Sequence, residues 1–221
     1  MFVKKLLSLL SAACFIGCSV ALYIYAGLGG DSITVFEEGI HTAFSVSLGM
    51  SSYIYAAATF TLALLIGRKH LSILSIFYSL ICGPSIDLFC SLLSPLQAFN
   101  GFIFVRIIIL GFAILFTAIS CSILIVNDFG MNALDATVVS ISEKTKTEYS
   151  VVRTITDGLL MLSGYLMGGT VGLGTIPAVL LTGTVISQCC KILRKWIKMN
   201  YGQHHKVGSM SRTINKKILI I

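Results

Sequence analysis

The sequence predicts an all-α integral membrane protein with six transmembrane helices, built as two inverted three-helix repeats that each carry a short non-spanning helix. Three observations predict it. Of the 221 residues, 56% are hydrophobic and 11% are charged, whereas soluble domains carry roughly 25% charged residues. Six apolar runs approach or exceed the ~20 residues needed to cross a bilayer. The Lys and Arg residues recur on alternate sides of those runs, the pattern of the positive-inside rule.

The first run, 6–26, follows Lys4 and Lys5 and imitates a secretory signal. Ser11 stands three residues before Cys14, where a lipoprotein signal has an aliphatic residue, and the apolar stretch outruns an h-region. An uncleaved first span is expected. A glycine run, AGLGG (26–30), leads to a polar segment at 31–45 containing Asp31, Glu37, Glu38 and His41. It is too short to span and reads as a short helix lying at the interface or dipping partway in, with Glu37 and Glu38 on a solvated face or at a mouth that attracts cations. Spans follow at 48–66 and 71–93. In the latter, Gly83-Pro84 is expected to break or kink the helix.

The second half repeats this order. A span at 102–126 precedes a short polar helix at 131–143 containing Asp135, then spans at 149–167 and 174–194. Shifting the chain by 100 residues places Ile76, Leu80, Gly83 and Ile86 on Ile176, Leu180, Gly183 and Ile186. A shift of 101 places Ser19, Ile24 and Gly29 on Ser120, Ile125 and Gly130. Each half holds three spans, so the second enters from the opposite face, an arrangement found in many secondary transporters. One transmembrane domain is therefore expected over 1–195, with repeats at about 6–93 and 102–194. A basic cytoplasmic tail follows at 196–221.

With the N-terminus in the cytoplasm, 14 of the 16 Lys and Arg fall on that side, and the C-terminus is cytoplasmic too. Loops 27–47, 94–101 and 168–173 hold no base. The pI near 9.1 therefore reflects basic flanks of spans, and no nucleic-acid partner is expected. The bilayer is the expected partner, with a small-molecule or ion solute and a second copy of the chain as further candidates.

The two remaining bases, Arg106 and Arg153, lie inside apolar runs. Ionisable groups in a bilayer cost several kcal/mol unless paired or hydrated, which makes them functional candidates. Arg153 and Asp157 are four residues apart and share a helix face. Asp157 is about 12 Å into its span at 1.5 Å per residue, too deep for its short side chain to reach water. Asp135, on the same side, is placed to join them. Asp87 and Arg106, both near the outer face, are expected to pair across a short loop. Gly83, Gly169, Gly172 and Gly174 mark helix breaks or turns. Thr175 opens a helix, whose N-terminus attracts anions.

The seven cysteines sit in or beside apolar runs, none as Cys-x-x-Cys, and suit small packing residues. The four histidines have no metal spacing and no serine has a placed base, so no metal, cofactor or catalytic activity is expected. The glycine runs lack the Lys-Ser/Thr ending of a phosphate loop.

AGLGGDSITVF (26–36), GPSIDLF (83–89), FGMNALDA (129–136), VVRT (151–154) with Asp157, and GGTVGLGT (168–175) carry a family resemblance. The chain resembles the YczE/YyaS/YitT group of bacterial integral membrane proteins, closest to the YczE-like branch, over about 6–194. It departs from that pattern at Thr34, where the group often has Asp. It departs also at Asp157, where Glu is commoner, and at Gly183-Thr184, where Gly-Pro is frequent. The resemblance implies a multi-pass protein of the bacterial plasma membrane and no defined activity. The expected function is transport of a small polar or charged solute, with Asp157 and Arg153 binding or coupling and Asp135 beside them. The rival is a non-transporting accessory protein that supports a partner complex.

Overall fold

The computed structural model describes residues 2–66, 73–94, 102–127 and 132–201. They form helices α1 (Phe2–Ala26), α2 (Ser32–Phe44), α3 (Leu48–Ile66), α4 (Ile73–Leu93), α5 (Ile103–Val126), α6 (Ala133–Thr145), α7 (Tyr149–Leu166) and α8 (Thr175–Tyr201). No strand occurs among the described residues. The chain is thus an all-α membrane protein. Among the described residues five helices are long and apolar enough to cross a bilayer: α1, α3, α4, α5 and α8. The expected fifth span, α7, is a continuous helix of 18 residues but falls outside that set, because Arg153, Asp157 and several hydroxyls dilute its apolar content. Helix α8 continues to Tyr201, past the expected start of the tail at 196. The rest of the tail, the Arg68-Lys69 turn and Gly130 lie outside the described residues.

The helices sort into two groups. In the first, α1 packs on α5, α4 lies along α1 and α8 lies along α5. Helices α1 and α5 run antiparallel over their whole length. Arg106, at the start of α5, reaches the carbonyl at the end of α1, and Asn127, at the end of α5, donates to Ser8 near the start of α1. Between them the Ser19 hydroxyl donates to the Ala113 carbonyl at 2.7 Å, and the Ser120 hydroxyl to the Ala12 carbonyl at 2.7 Å. Ala12 and Ala113, which supply those carbonyls, are fully buried in this seam. Lipid is as apolar as leucine, so helices in it associate through close packing and interhelical hydrogen bonds, and small residues allow both.

The second group is a ring. Helix α2 packs on α7, α7 on α6, α6 on α3 and α3 on α2. The two short helices enter it alike. Each spans 13 residues and each ends on a residue with positive φ, Ser45 at 52° and Lys146 at 54°. Helices α2 and α7 run in the same direction, with Ser32 beside Asp157 and Gly39 beside Gly164. A side chain at either glycine would run into the backbone of the other helix. The glycine runs before α2 and α8 also meet. The Gly174 amide donates to the Leu28 carbonyl at 2.8 Å, and Gly29 turns with φ 89° against Thr175. Gly169, Gly172 and Gly174 therefore act in close backbone crossings, and the Thr175 hydroxyl accepts the Gly172 amide at 3.1 Å.

Three further expectations are corrected. Gly83-Pro84 does not break α4, which is helical throughout Ile73–Leu93. Proline removes the amide that would bond the carbonyl four residues earlier, and Tyr53 of α3 supplies a substitute donor to that Leu80 carbonyl at 2.7 Å. Gly83 gives the room, since it lies directly against Tyr53 and Gly49. Asp87 and Arg106 do not bond each other but serve separate helix ends. The Asp87 carboxylate accepts from the Ser47 hydroxyl at 2.8 Å and the Gly49 amide at 2.7 Å, holding the first turn of α3. Arg106 donates to the carbonyls of Ala26 at 2.6 Å and Gly27 at 2.5 Å, two of the groups that the end of α1 leaves open. Finally, α2 has no solvated acidic face. Glu37 is buried at 3% exposure, and Glu38 accepts the Thr170 amide and hydroxyl, both at 2.8 Å.

Candidate functional site

The polar interior of the ring begins with how its short helices start. Asp31 caps α2: it accepts the Thr34 amide at 3.3 Å and the Thr34 hydroxyl at 2.5 Å. Such a cap satisfies a donor that the first turn leaves open. The next residue, Ser32, then faces α7 and donates to Asp157 Oδ1 at 2.7 Å. At the equivalent place, Asn132 stands in the N-cap position of α6 without a side-chain cap bond, and Asp135 lies in its first turn, where a carboxylate is favoured by the helix dipole.

Arg153 links the two sides. Its Nε donates to Asp157 Oδ2 at 2.8 Å, and its Nη1 donates to Asp135 Oδ1. The Tyr149 hydroxyl donates to the same Asp135 oxygen at 3.2 Å. Asp157 therefore has both oxygens engaged, one by Ser32 of α2 and one by Arg153. The three groups are not sealed from their surroundings. Side-chain exposure is 29% for Arg153, 37% for Asp135 and 18% for Asp157.

Helix α3 closes the ring. Ser52 hydrogen-bonds Glu37, and the Tyr55 hydroxyl is buried without a partner. That hydroxyl is within electrostatic reach of Arg153, Glu37, Asp135 and Asp31. Burial pushes the Glu37 carboxyl up to about 8, only partly opposed by the Ser52 bond, and the Asp31 charge adds to the rise. Burial also raises Asp31, against the bonds from Thr34 that favour its charged form. A buried carboxyl that no cation neutralises takes up a proton.

The structure thus joins Asp135, Arg153 and Asp157 as the sequence suggests, and leaves Asp87 and Arg106 outside as helix-end groups. It adds Asp31, Ser32, Glu37, Ser52 and Tyr55. The 101-residue shift places Asp31 on Asn132, and that correspondence of N-cap positions was the available signal for Asp31. Glu37 had none, because adjacent acids on a short polar helix look the same whether one is buried or not.

Residues 3–191 match a family of unknown function, DUF6198. The chain is similar to an uncharacterized protein of Haemophilus influenzae, 26% identical over 192 residues, covering 87% of this chain and 86% of that one. It is similar also to the uncharacterized membrane protein YczE of Bacillus subtilis, 24% identical over 159 residues and 72% of each chain. No solved structure matches.

Proposed function

The chain belongs to DUF6198, a family without an assigned function, and from the geometry of its own ring we propose that it is a transporter-like protein moving a small polar or charged solute across the plasma membrane. It does so with six spans in two inverted repeats, the N- and C-termini in the cytoplasm. The observation that carries this reading is the pair of serine bonds between α1 and α5. Ser19 and Ser120 are 101 residues apart, and so are their acceptors, Ala12 and Ala113. Corresponding residues of two antiparallel helices exchange the same bond, as a two-fold axis in the membrane plane requires.

The packing supports the same axis. Exchanging halves maps the contact of α1 with α4 onto that of α5 with α8, and that of α2 with α7 onto that of α6 with α3. Helix α7 is the remaining span, fifth in chain order. Its 18 residues reach about 27 Å at 1.5 Å each, near the ~30 Å of a hydrocarbon core. Ile155, Leu159, Leu162 and Leu166 form an exposed apolar stripe on one side, and Arg153 and Asp157 turn into the ring. The site then lies between the repeats, where such transporters bind solute.

The halves are unequal at one place. Helix α3 rests on α4 through Gly49 and Gly83, but α7 has no comparable packing on α8, and Gly183 has nothing near it. One closed and one open flank is what an alternating carrier would present. The test is a thermal-shift screen of the detergent-purified protein against metabolites and ions, then flux of any binder into proteoliposomes. Stabilisation of wild type by mass action, lost in Asp157→Asn, together with flux, supports the proposal. A flat screen, a variant that merely melts earlier and a co-purifying partner would favour the accessory role instead.

A further inference from the structure

The charged cluster of the ring is satisfied unevenly. Asp157 has both oxygens taken, Oδ1 by the Ser32 hydroxyl at 2.7 Å and Oδ2 by Arg153 Nε at 2.8 Å. Asp135 has one oxygen taken twice: Oδ1 accepts from Arg153 Nη1 and from the Tyr149 hydroxyl at 3.2 Å. Among the described residues nothing bonds Asp135 Oδ2 or Arg153 Nη2. Neither atom is sealed in, since among those residues the buried side-chain atoms without a partner are the Tyr23 and Tyr55 hydroxyls alone. Each open atom shares a planar group with one end of the Nη1–Oδ1 bond, so the two are neighbours across that bond. One has only hydrogens to donate, the other only lone pairs to accept with.

We propose that Arg153 Nη2 and Asp135 Oδ2 together recognise the solute through an uncharged primary amide or ureido group. Its carbonyl accepts from Nη2 and its N–H donates to Oδ2. The inference rests on reading the ring as a solute site. Charge and bonding decide against the other classes. The cluster holds two carboxylates and one guanidinium, so an anion would add a further negative charge against a single positive one. The short helices offer an anion no compensation. Asp31 already accepts an amide from the first turn of α2, and Asp135 itself lies in the first turn of α6. An ammonium ion can bond Oδ2, but it has no acceptor for Nη2 and would set a second positive charge beside the guanidinium. A ketone answers Nη2 and leaves Oδ2 unbonded. An amide answers both. Inside a membrane an open donor and an open acceptor are costly unless water or a ligand meets them.

The test is ligand-observed NMR of the full-length protein in detergent, referenced to protein-free micelles. The probes share one size: propionamide, propionate, propylammonium and butanone. Propionamide should bind about tenfold more tightly than butanone, the loss expected when one hydrogen-bond partner is left open, and more tightly than either ion. Asp135→Asn should change the order. Arg153 Nη1 and Tyr149 both donate to Oδ1, so the asparagine oxygen stays on them and its NH2 takes the open place. The acceptor becomes a donor, a negative charge is gone, and the preference should pass from propionamide to propionate. Arg153 keeps its bond to Asp157 in that variant. If Asp135→Asn does not fold, the wild-type order of the four probes decides. Equal or tighter binding of propionate, propylammonium or butanone by wild type overturns the amide assignment and leaves the solute-site reading standing. A preference for propionamide that survives in Asp135→Asn does the same. So does failure of all four probes when the wider metabolite panel yields a binder that Asp157→Asn loses. Failure of the four probes and of the panel overturns both.

Discussion

The Tyr53 hydroxyl donates at 2.7 Å to the Leu80 carbonyl, the group that Pro84 deprives of its helical partner. One side chain on α3 thereby repairs a defect in α4 and fastens the two helices. In a bilayer no water is at hand for an orphan carbonyl. Tyr53→Phe should therefore destabilise the protein by about 1–3 kcal/mol. Pro84→Ala restores the amide and should remove most of that penalty in the double variant. Melting of the four proteins in detergent checks the cycle, and equal losses with and without Pro84 would refute the repair.

Arg153 is the hub of its cluster, so its loss should cost more than the loss of either acid. Arg153→Ala leaves Asp135 and Asp157 without their cation, whereas Asp135→Asn leaves Arg153 still bonded to Asp157. Fully buried pairs broken in this way lose about 3–5 kcal/mol; the partial exposure here points to a smaller loss. Arg153→Lys should recover only part of it, because a lysine ammonium cannot place two fixed donors on two separate carboxylates. Comparative melting in one detergent ranks the three.

The legible part of this protein was whatever depends on composition and period. Apolar run length placed α1, α3, α4, α5 and α8, and the four-residue spacing of Arg153 and Asp157 placed their bond. Charge that is answered at a distance was not legible. Arg106 and Asp87 look like a pair because their signs are opposite, yet each is better satisfied by backbone groups at a helix end. Glu37 looks solvated because the sequence cannot say that the next helix, α3, folds back and turns Ser52 onto it. Pro84 reads as a break, since the compensating hydroxyl lies on another helix.

Ser45 and Lys146 are the two non-glycine residues with positive φ among those described, and each ends a short helix 101 residues from the other. The inverted arrangement proposed above would put these ends at opposite faces of the membrane. In a background freed of the seven native cysteines, Ser45→Cys should be modified by an impermeant maleimide added outside whole cells. Lys146→Cys should react only after the membrane is opened. Labelling of both from the same side would exclude the inverted arrangement.

Glu37 makes stability depend on pH with a definite sign. Its carboxyl is raised from 4.5 to about 8 on folding, so between those values the folded chain binds more protons than the unfolded one. The stabilisation is fully present below the lower value and is lost as pH rises through the upper one. The melting temperature of the ligand-free protein should fall between pH 5 and 8 from this group, and Glu37→Gln should flatten that fall. A steeper fall in the variant would assign the effect to another group.

Gly183 offers a test that separates folding from movement. A Cβ there meets nothing within 4 Å, whereas one at Gly83, 100 residues earlier, would collide with Tyr53. In the conformation described here, Gly183→Leu should fold normally, and losing a mid-helix glycine contributes up to about 1 kcal/mol of stability. If the second half closes as the first has closed, the added leucine will stand where α7 must come to rest on α8. Ligand binding in detergent should then survive, while flux through proteoliposomes is lost. Gly158→Leu is the control, because Gly158 is equally open and lies among Met161, Leu162 and Tyr165 on the lipid side of α7. Flux retained in Gly183→Leu would show that α7 and α8 do not come together during turnover.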